Sequence, residues 1–299
     1  MKMLRFVATL ALVLAGMTLL WTPCHAQTRF APTRFTVTDQ GTAGKPDIIL
    51  IPGLASSRAV WDGEAAKLTP NYRLHLVQVN GFAGQPAGVN AGSTDLLQGI
   101  VEELHEYIVG KNMHPDVIGH SMGGTMALML AERHPADVHK LVLVDALPFL
   151  GALYSADATV ESVKPIAEGE KAQMAMITDT QYAATAPQFA AAMVSDSANQ
   201  ALVTQMSVSS DRKVVAEALY EDLLTDLRPG LPMLVVPTLL LYPYDAGSQG
   251  PDPAKVDALY KGQYKSATTV QLVRVDNSHH FIMYDQPAKL NSALEAFLK

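Results

Sequence analysis

The stretch Val117-Ile118-Gly119-His120-Ser121-Met122-Gly123-Gly124 decides how this chain of 299 residues is read. It carries the pattern G-x-S-x-G, follows a short apolar run that reads as a buried strand, and precedes Thr125 to Arg133, which reads as a helix. A serine at the tip of so sharp a strand-to-helix turn holds a strained backbone. Its neighbours two positions away must be small for strand and helix to close over them, and Gly119 and Gly123 meet that demand. The helix begins at the serine, so its free amides favour negative charge developing beside the hydroxyl. Serine alone is a poor nucleophile, so the pattern predicts a base, an orienting acid and an oxyanion hole elsewhere in the chain.

Upstream of this turn, Arg34 to Thr38 reads as an edge strand and Asp47 to Ile51 and Tyr72 to Val79 as buried parallel strands, with Ala59 to Leu68 a helix between the last two. Ser93 to Lys111 repeats apolar residues at helical spacing, from Leu96 and Leu97 through Ile100, Val101 and Leu104 to Ile108. Downstream, Lys140 to Asp145, Thr238 to Tyr242 and Thr269 to Val275 read as strands and Pro287 to Leu298 as a closing helix. The alternation predicts an α/β fold, a mostly parallel central sheet flanked by helices. In such sheets chemistry collects at the carboxyl ends of the strands.

The alternation breaks between Phe149 and Pro232. The expected organisation is therefore a core of residues 27–148 and 233–299, with residues 149–232 inserted as a helical cap over the site. The insertion is rich in alanine and methionine (Met174, Met176, Met193, Met206), and its methionines read equally as ordinary core filler. It holds five basic and eleven acidic residues. An entrance of that sign would repel anionic substrates.

Residues 1–26 read as a secretory signal peptide cut before Gln27. They have a basic start at Lys2 and Arg5, an apolar run from Phe6 to Trp21 and the small-residue ending Cys24-His25-Ala26. The competing reading is a membrane anchor. Cleavage removes Cys24, the only cysteine, and a disulfide-free exported chain suits a bacterial periplasm. The net charge of −7 over the whole chain becomes −9 without Lys2 and Arg5. That balance argues against nucleic acid or anionic membrane surfaces as partners, and no stable membrane insertion is expected after cleavage.

The succession of strand, Gly119-His120-Ser121-Met122-Gly123, helix, strand, helical insertion, strand with Asp245, strand and Asn277-Ser278-His279-His280-Phe281 resembles the α/β-hydrolase superfamily. The resemblance covers essentially everything after the leader, and its motifs are specific to the superfamily rather than to one substrate. It implies the chain order Ser, Asp, His. The base of that pattern stands immediately before an aromatic residue, which selects His280 before Phe281. His279 is the alternative, since two adjacent side chains point in different directions. His120 reads as packing or orienting the elbow. The acid must lie at the end of a neighbouring strand, which points to Asp245, although Pro243 stands where the family usually has glycine. Asp145 is the second candidate, set against a reading as a helix-cap or loop carboxylate.

By the same resemblance, the oxyanion hole is built from the amides of Met122 and Leu54. Gly53 lets the backbone come close, and Phe82 either lines the pocket or packs its turn. His280 would take the Ser121 proton during attack on a carbonyl and return it to the leaving alcohol, and water would then release the acid. No metal cluster, phosphate loop or dinucleotide fingerprint is read, so no cofactor is expected. The expectation is a cofactor-free serine hydrolase acting on a small ester-like molecule. Acyl transfer, perhydrolysis and carbon-carbon cleavage by the same residues remain open, as does a non-catalytic binder.

Overall fold

Runs of isoleucine, leucine and valine with no polar face can be buried only between two layers, and the centre of this molecule is built that way. The computed structural model describes residues 30–250 and 252–299; the leader expected over residues 1–26 lies outside them. Strands β1 (Phe35–Gln40), β2 (Asp47–Ile51), β3 (Arg73–Val79), β4 (Asp116–His120), β5 (Leu141–Val144), β6 (Thr238–Tyr244) and β7 (Val270–Asp276) form one sheet. Their order is β1-β3-β2-β4-β5-β6-β7. Only the β1 and β3 pair is antiparallel; the remaining pairs are parallel.

Successive side chains of each strand point to opposite faces. Ile49, Ile51, Val117, Leu141 and Leu143 pack on one side against helices α2 (Leu96–Lys111) and α3 (Met122–Arg133). Ile48, Leu50, Ile118, Val142 and Val144 pack on the other against α1 (Asp62–Leu68) and, from the far end of the chain, α11 (Pro287–Leu298). β2 and β4 are neighbours whose chains leave in opposite directions, β2 toward β3 and β4 toward β5. That reversal opens a crevice at their carboxyl ends, where Leu54 and Ser121 follow.

Between β5 and β6 the chain forms α4 (Val160–Met176), α5 (Asp179–Met193), α6 (Ser197–Ser209) and α7 (Arg212–Leu224). Much of the acidity of this insertion is spent on its own architecture. Asp196 and Asp211 accept from the first amides of α6 and α7. Glu221 accepts from the amides of Leu96 and Leu97, both at 2.8 Å, and so caps α2 from above. Glu217 pairs with Lys171 at 2.5 Å and Asp179 with Arg212 at 2.9 Å. After β6 come α8 (Ala246–Gln249), α9 (Pro253–Gln263) and α10 (Ile282–Asp285), the last after β7. No helix among the described residues is long and apolar enough to cross a membrane.

The sequence reading of the turn after β4 is met in detail. Ser121 sits at φ 54° and ψ −128°. A methyl group on Gly119 would fall on the carbonyl of Gly123, and one on Gly123 would fall on the carbonyls of Ile51 and Pro52. Because these obstacles are backbone, no rotamer change relieves them. Gly119→Ala is therefore expected to lower the unfolding free energy by roughly 3 kcal/mol or more. Urea denaturation checks this, and a midpoint equal to wild type would show that the turn is not closed so tightly.

Candidate active site

Ser121 stands where β4 ends and α3 begins, lifted by its strained backbone onto the carboxyl edge of the sheet. The loop after β2 closes over it. Gly53 lies so near that a methyl group there would meet His120 Nδ1 and Ser121 Cβ, each at 3.0 Å. Among the described residues, neither the Leu54 nor the Met122 amide donates to an acceptor within the protein. Both follow the residues expected to aim them at one point.

His280, from the loop between β7 and α10, is tied to this turn through its neighbour. His120 Nε2 donates to the His280 carbonyl at 3.1 Å, with the two rings 4.5 Å apart. His120 is wholly buried, and its pKa lies well below the usual imidazole value, first because of burial and then because of the charge of His280. It stays neutral, with its proton committed to that carbonyl. His120 thus orients the elbow, as expected of it.

The carboxylate facing His280 is Asp145, and this corrects the assignment to Asp245. His280 Nδ1 donates to Asp145 Oδ2 at 2.5 Å. Asp145 leaves β5 with φ 50° while its amide still donates to Leu241 at 2.8 Å, so the strand ladder fixes where the side chain starts. Its other oxygen accepts from the Tyr260 hydroxyl of α9. Burial, with the adjacent Asp145, holds that phenol well above its ordinary pKa, so it remains a donor. Asp245 is engaged otherwise: Oδ1 accepts from the amides of Gly247 and Ser248 at 2.9 and 3.0 Å and caps α8. The nearest imidazole to Asp245 is His279, at 3.6 Å. His279 also lies 3.4 Å from Asp285, which accepts its backbone amide. The two adjacent histidines therefore face different carboxylates, and the one that meets the elbow is His280.

Phe82, expected as a pocket-lining candidate, is fully buried and packs in the core with Ala55, Met122 and Val214. Gly81, at φ 94° and pressed against Val214, turns it inward. Phe82 packs its turn and presents no surface. A residue the sequence reading missed is Asp222 on α7, 4% exposed and with Oδ1 unpartnered. Its signal was a carboxylate on the helix face that also carries Val214, Val215 and Ala218, all buried. Burial raises its pKa to about 7, and the Thr125 hydroxyl and the charge of His280 offset this only in part.

His105, His134 and Asp137 bring three possible metal donors within 4.8 Å of one another. The two imidazoles are stacked 3.9 Å apart at 10°, so their in-plane lone pairs run parallel and do not converge on one ion.

Asp145 thus braces the His280 ring, and His120, the residue before the strained Ser121, holds the His280 carbonyl. The chain belongs to the alpha/beta hydrolase family, whose sequence profile matches residues 48–293. It is 35% identical over 103 residues to the pimeloyl-[acyl-carrier protein] methyl ester esterase of Aeromonas salmonicida, a match covering 34% of this chain and 39% of that enzyme. With the enzyme of the same name from Pectobacterium carotovorum it shares 28% identity over 237 residues, 76% of this chain and 86% of the relative. A hydrolase from Oleispira antarctica superposes with a TM-score of 0.72 at 15% identity, covering 89% of this chain and 95% of that one.

Asp222 generates a stability prediction. An unfolded aspartate releases its proton near pH 4, and the folded one does so only at about 7. The folded state therefore binds the proton more tightly, and the stability this confers is complete below about pH 4 and lost as pH rises through 7. Asp222→Asn has no such proton to lose. Its advantage over wild type should grow between about pH 4.5 and 8, by an amount on the order of 2–4 kcal/mol. Urea midpoints at the two pH values check this, and an advantage that does not change with pH would contradict the assignment.

Proposed function

We propose that the protein is a carboxylic-ester hydrolase in which Ser121 is the nucleophile, His280 the general base and acid, and Asp145 the residue that holds the imidazole. The observation that carries this reading is the 2.5 Å contact between His280 Nδ1 and Asp145, on a histidine locked to the serine turn by His120. With Nδ1 committed to Asp145, Nε2 is left to take the Ser121 proton as the oxygen attacks an ester carbonyl. The amides of Leu54 and Met122 donate to the oxyanion that develops, at the N-terminal end of α3 where the helix dipole adds to them. His280 then returns the proton to the departing alcohol, and a water repeats the sequence to free the acid. The names of the curated relatives, methyl ester esterases, support ester cleavage over the other reactions that the same residues can perform.

The four inserted helices act as the cap that selects the substrate, and we assign small neutral esters to it. Lys171 and Arg212, two cations of the insertion, are already paired with Glu217 and Asp179. The carboxyl that the insertion buries within electrostatic reach of His280 is Asp222. A carboxylate on the substrate would be repelled by the ionised fraction of that carboxyl.

Asp145→Asn should lower turnover of a neutral short-chain ester by about 10⁴, the size of the effect when the tautomer-holding acid is lost. Asp245→Asn should stay within about fivefold of wild type, since it gives up only a helix cap. Steady-state rates decide between them, and the reverse ranking would return the acid to the end of β6. Matched esters differing by one acyl carboxylate test the substrate class. The anionic member should bind more weakly, and equal use of both would remove the neutral preference while leaving the assignment of the three residues intact.

A further inference from the structure

On the face of the sheet that carries α1 and α11, a groove of about 650 Å³ runs between α1, α10 and the inserted helix α6. That volume lies within the range of small-molecule sites. Leu202, Met206, Met283 and Val60 give it apolar walls, and its acidic groups are Asp62 and Glu64. No lysine, arginine or histidine lines it among the described residues.

Glu64 is the unusual member. It is 1% exposed, and its Oε1 has no hydrogen-bond partner in the protein. Charged groups on the elements around it are turned elsewhere. Arg58, in the turn before α1, donates to Thr36 at 2.6 Å. Asp285 of α10 accepts from Ser195 at 2.7 Å, and Lys289 of α11 donates to the Asp276 carbonyl at 2.7 Å. Tyr284 stands on the groove wall, stacked on Phe281 at 5.7 Å and 17°. A buried carboxyl without a partner beside an apolar groove is costly to the fold unless something occupies it.

We propose that this groove is a second binding site, for a small amphiphile carrying one ammonium group, with Glu64 as its counter-ion. The apolar body lies against Leu202, Met206 and Met283. The cation meets the Glu64 carboxylate, with Asp62 at the rim and the Tyr284 ring available to its positive face. None of its lining residues is one assigned to the ester chemistry, and the proposal does not depend on that assignment.

The ligand's charge has a measurable consequence. Burial pushes the Glu64 carboxyl up to about 8, so near pH 7 it carries a proton that an arriving cation must displace. Binding of a quaternary ammonium, which has no proton of its own, should release a proton to solvent.

Calorimetric titration of Ser121→Ala protein with hexyltrimethylammonium at about pH 7, in phosphate and in HEPES, reads both affinity and proton release. The expected result is saturable binding with release approaching one proton, and binding of 1-hexanol weaker by roughly tenfold or more. Glu64→Gln should weaken cation binding by roughly tenfold and abolish the release. If that variant does not fold, Leu202→Arg, which places a cation on an exposed wall of the groove, should weaken binding in its place. No saturable binding, or binding without proton release that survives both substitutions, would overturn the proposal.

Discussion

The carboxyl edge of this sheet depends on contact between backbone and backbone at the turn after β4. Gly119 lies against the carbonyl of Gly123, and Gly123 against the carbonyls that end β2. No side chain fits between them, which is why the turn can hold Ser121 at φ 54°. The same closure draws the loop of Gly53 and Leu54 over the serine and leaves the first amides of α3 without acceptors. His120, buried beneath the turn and neutral, carries the order across to β7 by holding the His280 carbonyl. Strain at one residue is thus maintained by packing at many.

The sheet and the elbow were legible in the sequence because both rest on local rules. Apolar runs of strand length, helical spacing in α2, and small residues on either side of Ser121 each constrain their own neighbourhood. The expectations for Met122, Leu54, Gly53 and His280 came from the resemblance of those features to the family's pattern. The acid was not legible in the same way. Asp145 follows β5 and Asp245 follows β6, and the choice between them depends on what each carboxylate does after its strand ends. The short helix α8 takes Asp245 as its cap, since β6 continues through Pro243 to Tyr244 before the chain turns. Asp145, in contrast, leaves β5 in a left-handed conformation and meets Tyr260 from α9, 115 residues later in the chain. No periodicity reports a contact of that range.

Composition gives the kind of residue in a segment and not its direction, so the sequence left Phe82 open between lining a pocket and packing its turn, and it is packed inward. The eleven acids of the insertion suggested a charged entrance, yet several of them cap helices or pair with the segment's own cations. Asp222 is buried instead, and the apolar spacing around it could have disclosed its place on that face of α7. It puts a titratable group within electrostatic reach of His280, in addition to Asp145.

The central claim is that Ser121 is activated by His280 and Asp145 as one unit, and covalent labelling tests it most directly. Folded protein treated with a fluorophosphonate and mapped by mass spectrometry should carry a single adduct, on the peptide containing Ser121. Labelling should be slowed strongly in Asp145→Asn and left close to wild type in Asp245→Asn. Folded wild-type protein that takes up no label at Ser121, or labelling that depends on Asp245 and not on Asp145, would contradict the account.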